Sequence, residues 1–322
     1  MTKRGMTRRE LLRSSGAVGC AAAVPFALAG CRSAVWGAVQ STSAAGSVKP
    51  AGVSNALKPP ASGSIPVAFL VSEGAQVIDF TGPWEVFQDV MVPGGTEDAF
   101  QLYTVAETTN LIHATGGMKI IPDYTLKTAP PPKVIVIPAQ GGGSKAMLEW
   151  IRKSTANTDV TMSVCTGAFL LARTGLLSGK AATTHHGSYS AFAKEFPDIE
   201  VKRGCRFVEE GNIATAGGLT SGIDLALRVV ERYYGREVAE RTAYDLEYQG
   251  KGWLDASGAA NAAYAEVTDG PTCLVCGMSV DPKVAMSSVY KGQTYYFCSR
   301  NHKDTFDGDP EKWVKARYRS NR

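Results

Sequence analysis

Cys165 stands where the pattern of the chain changes period. Before it, Val160, Met162 and Val164 make an apolar, partly β-branched run of strand length; after it, Ala168, Leu171 and Ala172 recur at helical spacing, with Gly167 as the turn-former between. A side chain at a strand-to-helix turn stands at the carboxyl end of a sheet, and the helix directs free N–H groups and a positive dipole end at it. Both effects favour thiolate over thiol, so Cys165 reads as a nucleophile; the plainer alternative is a small buried hydrophobe. A second group lies near the other end of the chain. Cys273 and Cys276 form a C-x-x-C knuckle, and Cys298 and His302 stand four apart, which on a short helix puts both on one face. Three thiolates and an imidazole suit one soft or borderline ion, zinc or copper(I). Disulfides are the alternative, but three cysteines leave one unpaired, and a module of about fifty residues is stapled poorly by one bridge.

The elements that must position these groups follow from the hydrophobic pattern. Residues 65–71, 100–105 and 133–137 are continuous apolar runs, as expected of strands covered on both faces. Helices are predicted over 83–90, with Pro83 near the first turn, and over 144–153, 188–195 and 220–234. Strand and helix alternating at this spacing predict an α/β fold built on a doubly wound parallel sheet, whose ligands bind beyond the carboxyl ends of the strands, where Cys165 lies.

With 322 residues the chain has room for two domains, and 44% hydrophobic with 20% charged residues is the balance of ordinary globular protein. Of 34 basic and 30 acidic residues, five basic (Lys3, Arg4, Arg8, Arg9, Arg13) and one acidic (Glu10) fall in the first 30, leaving 29 of each sign. A neutral remainder lacks the electrostatic footprint of a nucleic-acid binder, and the basic stretch 312–322 reads as a solvated end. Residues 14–30 are uncharged but short and rich in Gly and Ala, a poor membrane span. With Arg8-Arg9 ahead of them they resemble a twin-arginine export signal. Leu28-Ala29-Gly30-Cys31 resembles a lipobox, which implies cleavage before a lipidated Cys31 and a membrane-anchored lipoprotein on the periplasmic side of the cell envelope. An uncleaved anchor would give the same compartment. Residues 31–64, rich in Ala, Ser, Gly and Pro, read as a flexible tether. The domain reading is therefore 1–30 signal, 31–64 tether, 65–253 α/β domain, 254–269 linker and 270–318 C-terminal module.

Four stretches carry a family resemblance: Gln76-Val77-Ile78-Asp79-Phe80-Thr81-Gly82-Pro83; Ser163-Val164-Cys165-Thr166-Gly167; Gly175-Leu176-Leu177 through Thr183-Thr184-His185; and Gly217-Gly218-Leu219-Thr220-Ser221-Gly222-Ile223-Asp224. They resemble the ThiJ/PfpI superfamily, and within it the chain is most similar to isocyanide hydratases and to the sensor domains of AraC-type regulators. The resemblance implies a flavodoxin-like, class I glutamine amidotransferase-like fold, a small-molecule substrate, a homodimer and no cofactor in this domain. Asp79 matches the acid that faces the nucleophile, a glutamate in many members and an aspartate in the hydratases; the alternative for Asp79 is a helix cap. Thr166 stands where protease-like members have histidine, so nothing obvious relays a proton for amide cleavage and a peptidase is disfavoured. The implied reaction is hydration of an isocyanide to an N-formyl amine. Cys165 would attack carbon, Asp79 would shuttle protons, and Thr166 would fix the geometry through its hydroxyl or N–H. His185 matches a position near the nucleophile that could orient substrate or water, with His186 packed behind. Where the family has Pro-Gly-Gly, whose backbone approaches substrate, this chain has Pro138-Ala139-Gln140 before Gly141, so Gln140 and Gly141 are the expected substrate-binding positions, in a pocket narrowed or reset by the added side chains.

Thr272-Cys273-Leu274-Val275-Cys276-Gly277-Met278, the run from Tyr290-Lys291-Gly292 to Tyr295-Tyr296-Phe297-Cys298, and Asn301-His302 to Phe306 resemble a YHS domain, which more often has cysteine where His302 stands. It implies a small metal-stabilised module with Cys273, Cys276, Cys298 and His302 as ligands. Three readings follow: an envelope-anchored cysteine hydratase carrying a metal module, a metal-handling lipoprotein whose α/β domain is a scaffold, and a ligand sensor, the last disfavoured because no helix-turn-helix follows the α/β domain.

Overall fold

The computed structural model describes residues 55–95, 98–141, 143–255, 264–265, 271–275 and 279–314. Cys31 and Cys276 lie outside the described residues, as do the signal and nearly all of the tether. In chain order the α/β part contains β1 (Ile65–Leu70), α1 (Val77–Gln88), β2 (Phe100–Ala106), β3 (Tyr124–Thr125), β4 (Val134–Ile137), α2 (Lys145–Thr155), β5 (Val160–Val164), α3 (Gly167–Arg173), α4 (Tyr189–Glu195), β6 (Phe207–Glu210), β7 (Ile213–Ala216), α5 (Ser221–Tyr234) and α6 (Arg236–Asp245). The main sheet runs β6-β7-β5-β4-β1-β2-β3, parallel throughout except for β6 against β7. From β1 the chain adds β2 on one side and β4, β5 and β7 on the other. The strand order therefore reverses between β1 and β4, where ligands bind in such sheets.

Both faces of this sheet are covered. Ile65, Val67 and Phe69 of β1 pack with Phe87, Phe100, Leu227 and Tyr233, whereas Ala68 and Leu70 pack with Met147, Ile151, Leu171 and Phe192 on the opposite face. Hence β1 is apolar at every position rather than at alternate ones, each fully buried Leu, Ile or Phe contributing about 1.5–3 kcal/mol relative to exposure.

Helix α1 begins at Val77, not at Pro83, and the proline lies inside it. Pro83 offers no N–H to the helix and would ordinarily mark a start. Here packing overrides that signal. A Cβ on Gly82 would come within 2.9 Å of Ile223 Cγ1, and one on Gly222 within 3.0 Å of Val164 and 3.3 Å of Pro83, so two glycines let α1 and α5 meet closely. The consequence is that Asp79 lies in the first turn of α1 instead of capping a helix after it.

The antiparallel β6–β7 hairpin and α6 have no counterpart among the predicted elements. Strand β6 carries Glu209, whose buried side chain is compensated by Arg228 and Arg232 of α5, each bound to it at 3.0 Å; Arg228 also binds Glu231 at 2.8 Å. Arg232 reaches the Asn55 carbonyl at 2.8 Å, tying the start of the described chain to α5.

The C-terminal part contains the antiparallel hairpin β8 (Met286–Tyr290) and β9 (Gln293–Phe297), followed by α7 (Arg300–Gly308), whose N-terminus is capped by the Ser299 hydroxyl. Cys273, Val280, Phe297 and Phe306 form its buried core. No helix among the described residues is long and apolar enough to cross a membrane.

Candidate active site and metal centre

Cys165 follows β5 directly and adopts φ +59°, the left-handed region that a side chain enters only when its surroundings impose it. Neighbouring strand β7 supplies the constraint: the Cys165 N–H donates to the Gly217 carbonyl at 2.8 Å and the Ala216 carbonyl at 3.2 Å, while its own carbonyl accepts the Thr184 hydroxyl at 2.9 Å. Gly167 is required for the next turn, since a Cβ there would collide with the Ile137 carbonyl at the end of β4.

Asp79 meets this turn from α1. It is fully buried; Oδ2 accepts the Ala139 N–H at 3.1 Å, Oδ1 is left without a hydrogen-bond partner of its own, and the Cys165 thiol faces the carboxyl. Burial raises Asp79 to about 7 from 3.8, although the Ala139 N–H and the thiol act the other way. Cys165 is 5% exposed, and burial together with the Asp79 charge pushes its thiol well above the usual cysteine value; the Thr166 and Leu219 N–H groups and the Thr166 side chain pull it down but do not prevail. The resting thiolate expected from the strand–helix turn is therefore corrected: α3 has seven residues, and desolvation next to a carboxyl outweighs its N-terminus.

The other expected residues fall on two sides of this pair. Thr166, at the N-cap of α3, interacts with the sulfur through both backbone and side chain. Gln140 donates through Nε2 to the Leu70 carbonyl at 2.9 Å, leaving Oε1 buried without a partner, and the Gly141 N–H is taken by the Glu73 carbonyl at 3.1 Å. The Gly141 N–H is thus not free to meet a ligand. His185 accepts the Gly187 N–H on Nδ1 at 3.1 Å, and burial followed by the neighbouring His186 lowers it to about 4, so its imidazole is neutral at pH 7 and carries its proton on Nε2. His185 and His186 stack at 4.2 Å and line a cleft of about 180 Å³ together with Tyr189, Arg206, Leu219 and Tyr264. A larger cavity of about 730 Å³, lined by Tyr244, Tyr248 and Trp253 among others, includes neither Cys165 nor Asp79. Leu219 escaped residue-by-residue reading. Like Cys165 it is a non-glycine residue in the left-handed region, at φ +53°, and its N–H reaches Cys165 only because β5 and β7 are neighbours.

At the C-terminal end, Cys273, Cys298 and His302 place their ligand atoms within 4.8 Å of one another, with Nδ1 of His302 3.1 Å from Cys298 Sγ and 3.7 Å from Cys273 Sγ. Ligands of one tetrahedral zinc ion lie about 3.5 Å apart, so these three fit a single ion. The two sulfurs push His302 up to about 10, and an ion binding here must displace that proton. The expected fourth ligand, Cys276, lies outside the described residues.

A doubly wound sheet that buries a carboxyl against a cysteine in a left-handed turn defines a cysteine-centred α/β domain of flavodoxin-like architecture. Residues 66–232 match the DJ-1/PfpI family, to which the chain belongs, and residues 274–317 match the YHS domain. The chain is 31% identical over 211 residues to an isonitrile hydratase from Pseudomonas putida, covering 64% of this chain and 88% of that one. It is 26% identical over 146 residues to the HTH-type transcriptional regulator CdhR from Pseudomonas aeruginosa, of which it spans 43% against 44% of its own length. Among solved structures, a ThiJ/PfpI family protein from Pseudomonas syringae superposes with a TM-score of 0.52 at 28% identity, covering 59% of this chain and 77% of that one.

Proposed function

We propose that the α/β domain is a cysteine-dependent hydratase that converts an isocyanide to an N-formyl amine, and that the chain is an envelope-anchored lipoprotein carrying a metal-binding YHS module. The observation that carries the reaction is the buried Cys165–Asp79 pair, and the similarity to an isonitrile hydratase supports it. With the thiol protonated at rest and Asp79 titrating near 7, Asp79 takes the thiol proton as sulfur attacks. The Cys165 sulfur bonds to the isocyanide carbon and the same proton passes from Asp79 to that carbon, giving a thioimidate. Water then adds to the thioimidate carbon, nitrogen gains a proton, and the carbon–sulfur bond breaks to release the N-formyl amine and restore the thiol; the balance is one isocyanide plus one water. The N–H groups of Thr166 and Leu219 stabilise negative charge on sulfur as it develops. Neutral His185, which carries its proton on Nε2, suits orienting substrate or water rather than acting as a cationic acid.

The direct assay is formation of an N-formyl amine from alkyl and aryl isocyanides. Wild type is expected to turn over at least one of them and Cys165→Ala none; no product from any isocyanide would favour the second reading, in which the α/β domain is a scaffold and the Cys273–Cys298–His302 group carries a metal-handling role. The anchoring proposal rests on the lipobox-like Leu28-Ala29-Gly30-Cys31. Cys31→Ala is expected to shift the protein out of the membrane fraction or to block its maturation, and an unchanged distribution and size would refute it.

A further inference from the structure

The contacts between the two parts of the chain point to the YHS module being a working part of the Cys165 site, with the metal-binding knuckle holding the turn that carries His185 so that metal loading sets the reactivity of Cys165. This deepens the hydratase reading, but it concerns the cysteine's accessibility and is tested without turnover.

A continuous series of contacts joins the knuckle to the sulfur. The Ser279 N–H donates to the Gly187 carbonyl, and the approach is so close that a Cβ on Gly187 would stand 2.9 Å from the Ser279 carbonyl oxygen. Gly187 in turn donates to His185 Nδ1 at 3.1 Å. The His185 ring covers Gly218, where a Cβ would collide with it. Gly218 precedes Leu219, whose N–H faces Cys165, and the Cys165 N–H closes the series on Gly217. A second set of contacts runs through the linker: Tyr264 stacks on His186 at 4.6 Å, His186 stacks on His185, and Tyr264 forms one wall of the cleft over Gly217–Thr220.

The position of Ser279 depends on the knuckle. Ser279 is bridged to Thr272, the residue before the ligand Cys273, and the next N–H, that of Val280, donates to the Pro271 carbonyl at 2.8 Å. A module whose buried core is Cys273, Val280, Phe297 and Phe306 gains much of its order from metal binding. Loading the ligands therefore presents the Ser279 N–H to Gly187 in a fixed place, and stripping them releases it. Because the links are hydrogen bonds and close ring contacts, a change at Ser279 is felt at the Gly217–Leu219 backbone that frames the sulfur.

The experiment compares the full chain loaded with zinc and stripped by a chelator, following alkylation of Cys165 by iodoacetamide through mass spectrometry of the peptide that contains it, so that newly exposed knuckle thiols are counted separately. In wild type, stripping is expected to speed labelling of Cys165 by about tenfold, in the range of ordinary coupling between sites. Gly187→Ala, which removes the close approach from the α/β side, is expected to label at the fast rate with zinc still bound. Ser279→Pro removes the donor from the module's side and should do the same if Gly187→Ala does not fold. Equal Cys165 rates in the loaded and stripped wild type, or loaded variants as slow as wild type, would overturn the proposal. A chain that hydrates no isocyanide yet shows the zinc-dependent rate would overturn only the hydratase reading.

Discussion

Asp79→Asn is expected to lower kcat by about a thousandfold, within the range general acid–base groups supply, and at the same time to stabilise the protein at pH 8. The amide keeps the shape of the carboxyl and can still accept the Ala139 N–H, but it cannot take the thiol proton or pass it to carbon. The pH dependence follows from the same residue. The reactive state holds one proton between sulfur and carboxyl, so kcat/KM of the wild type should rise as Asp79 ionises and level off above pH 7. The stability effect has the opposite sense. Asp79 titrates near 7 in the folded chain against an ordinary 3.8, so the folded state binds this proton more tightly than the unfolded state does. That stabilisation is complete below pH 3.8 and is lost as the pH rises through 7, a change on the order of a few kcal/mol for a fully buried carboxyl. At pH 8 wild type carries a buried charge that Asn does not, and thermal unfolding of Asp79→Asn should be shifted upward there but not at pH 4. A flat rate profile from pH 6 to 8, or a variant that keeps wild-type turnover, would remove Asp79 from the chemistry.

Loss of the metal should unfold the C-terminal module while leaving the α/β sheet standing. Structural zinc contributes about 10–16 kcal/mol in comparably small domains, far more than a core of Cys273, Val280, Phe297 and Phe306 supplies. Protein purified without chelators is expected to hold one ion per chain by elemental analysis. Cys273→Ser combined with His302→Ala should abolish occupancy and erase amide-exchange protection in Gln293–Phe297 and Arg300–Gly308, with Val134–Ile137 and Val160–Val164 still protected. Full occupancy in the double variant would show the ligand set to be wrong, and a metal-free wild type with a protected hairpin would show the module to be held by its own packing.

Much of this protein is written locally. Continuous apolar runs mark β1 and β4 because a strand covered on both faces has no polar side to display, and the change of period at Cys165 marks the turn that bears the nucleophile. The spacing of Cys298 and His302 names two ligands locally, although Cys298 precedes α7, whose N-cap is Ser299, instead of sharing a helix face with His302, and only the folded module brings Cys273 to them. Other features depend on partners distant in sequence. Helix α1 starts ahead of Pro83 because Gly82 and Gly222 let it press on α5, and β6 accommodates Glu209 because Arg228 and Arg232 wait on that helix. The protonation of Cys165 belongs to this second kind. Residue type and a helix start argue for a thiolate, but ionisation is set by how much water is excluded and which charge lies opposite, and both were decided only when α1 carried Asp79 into the end of β5 and β7 laid the Leu219 N–H against the sulfur.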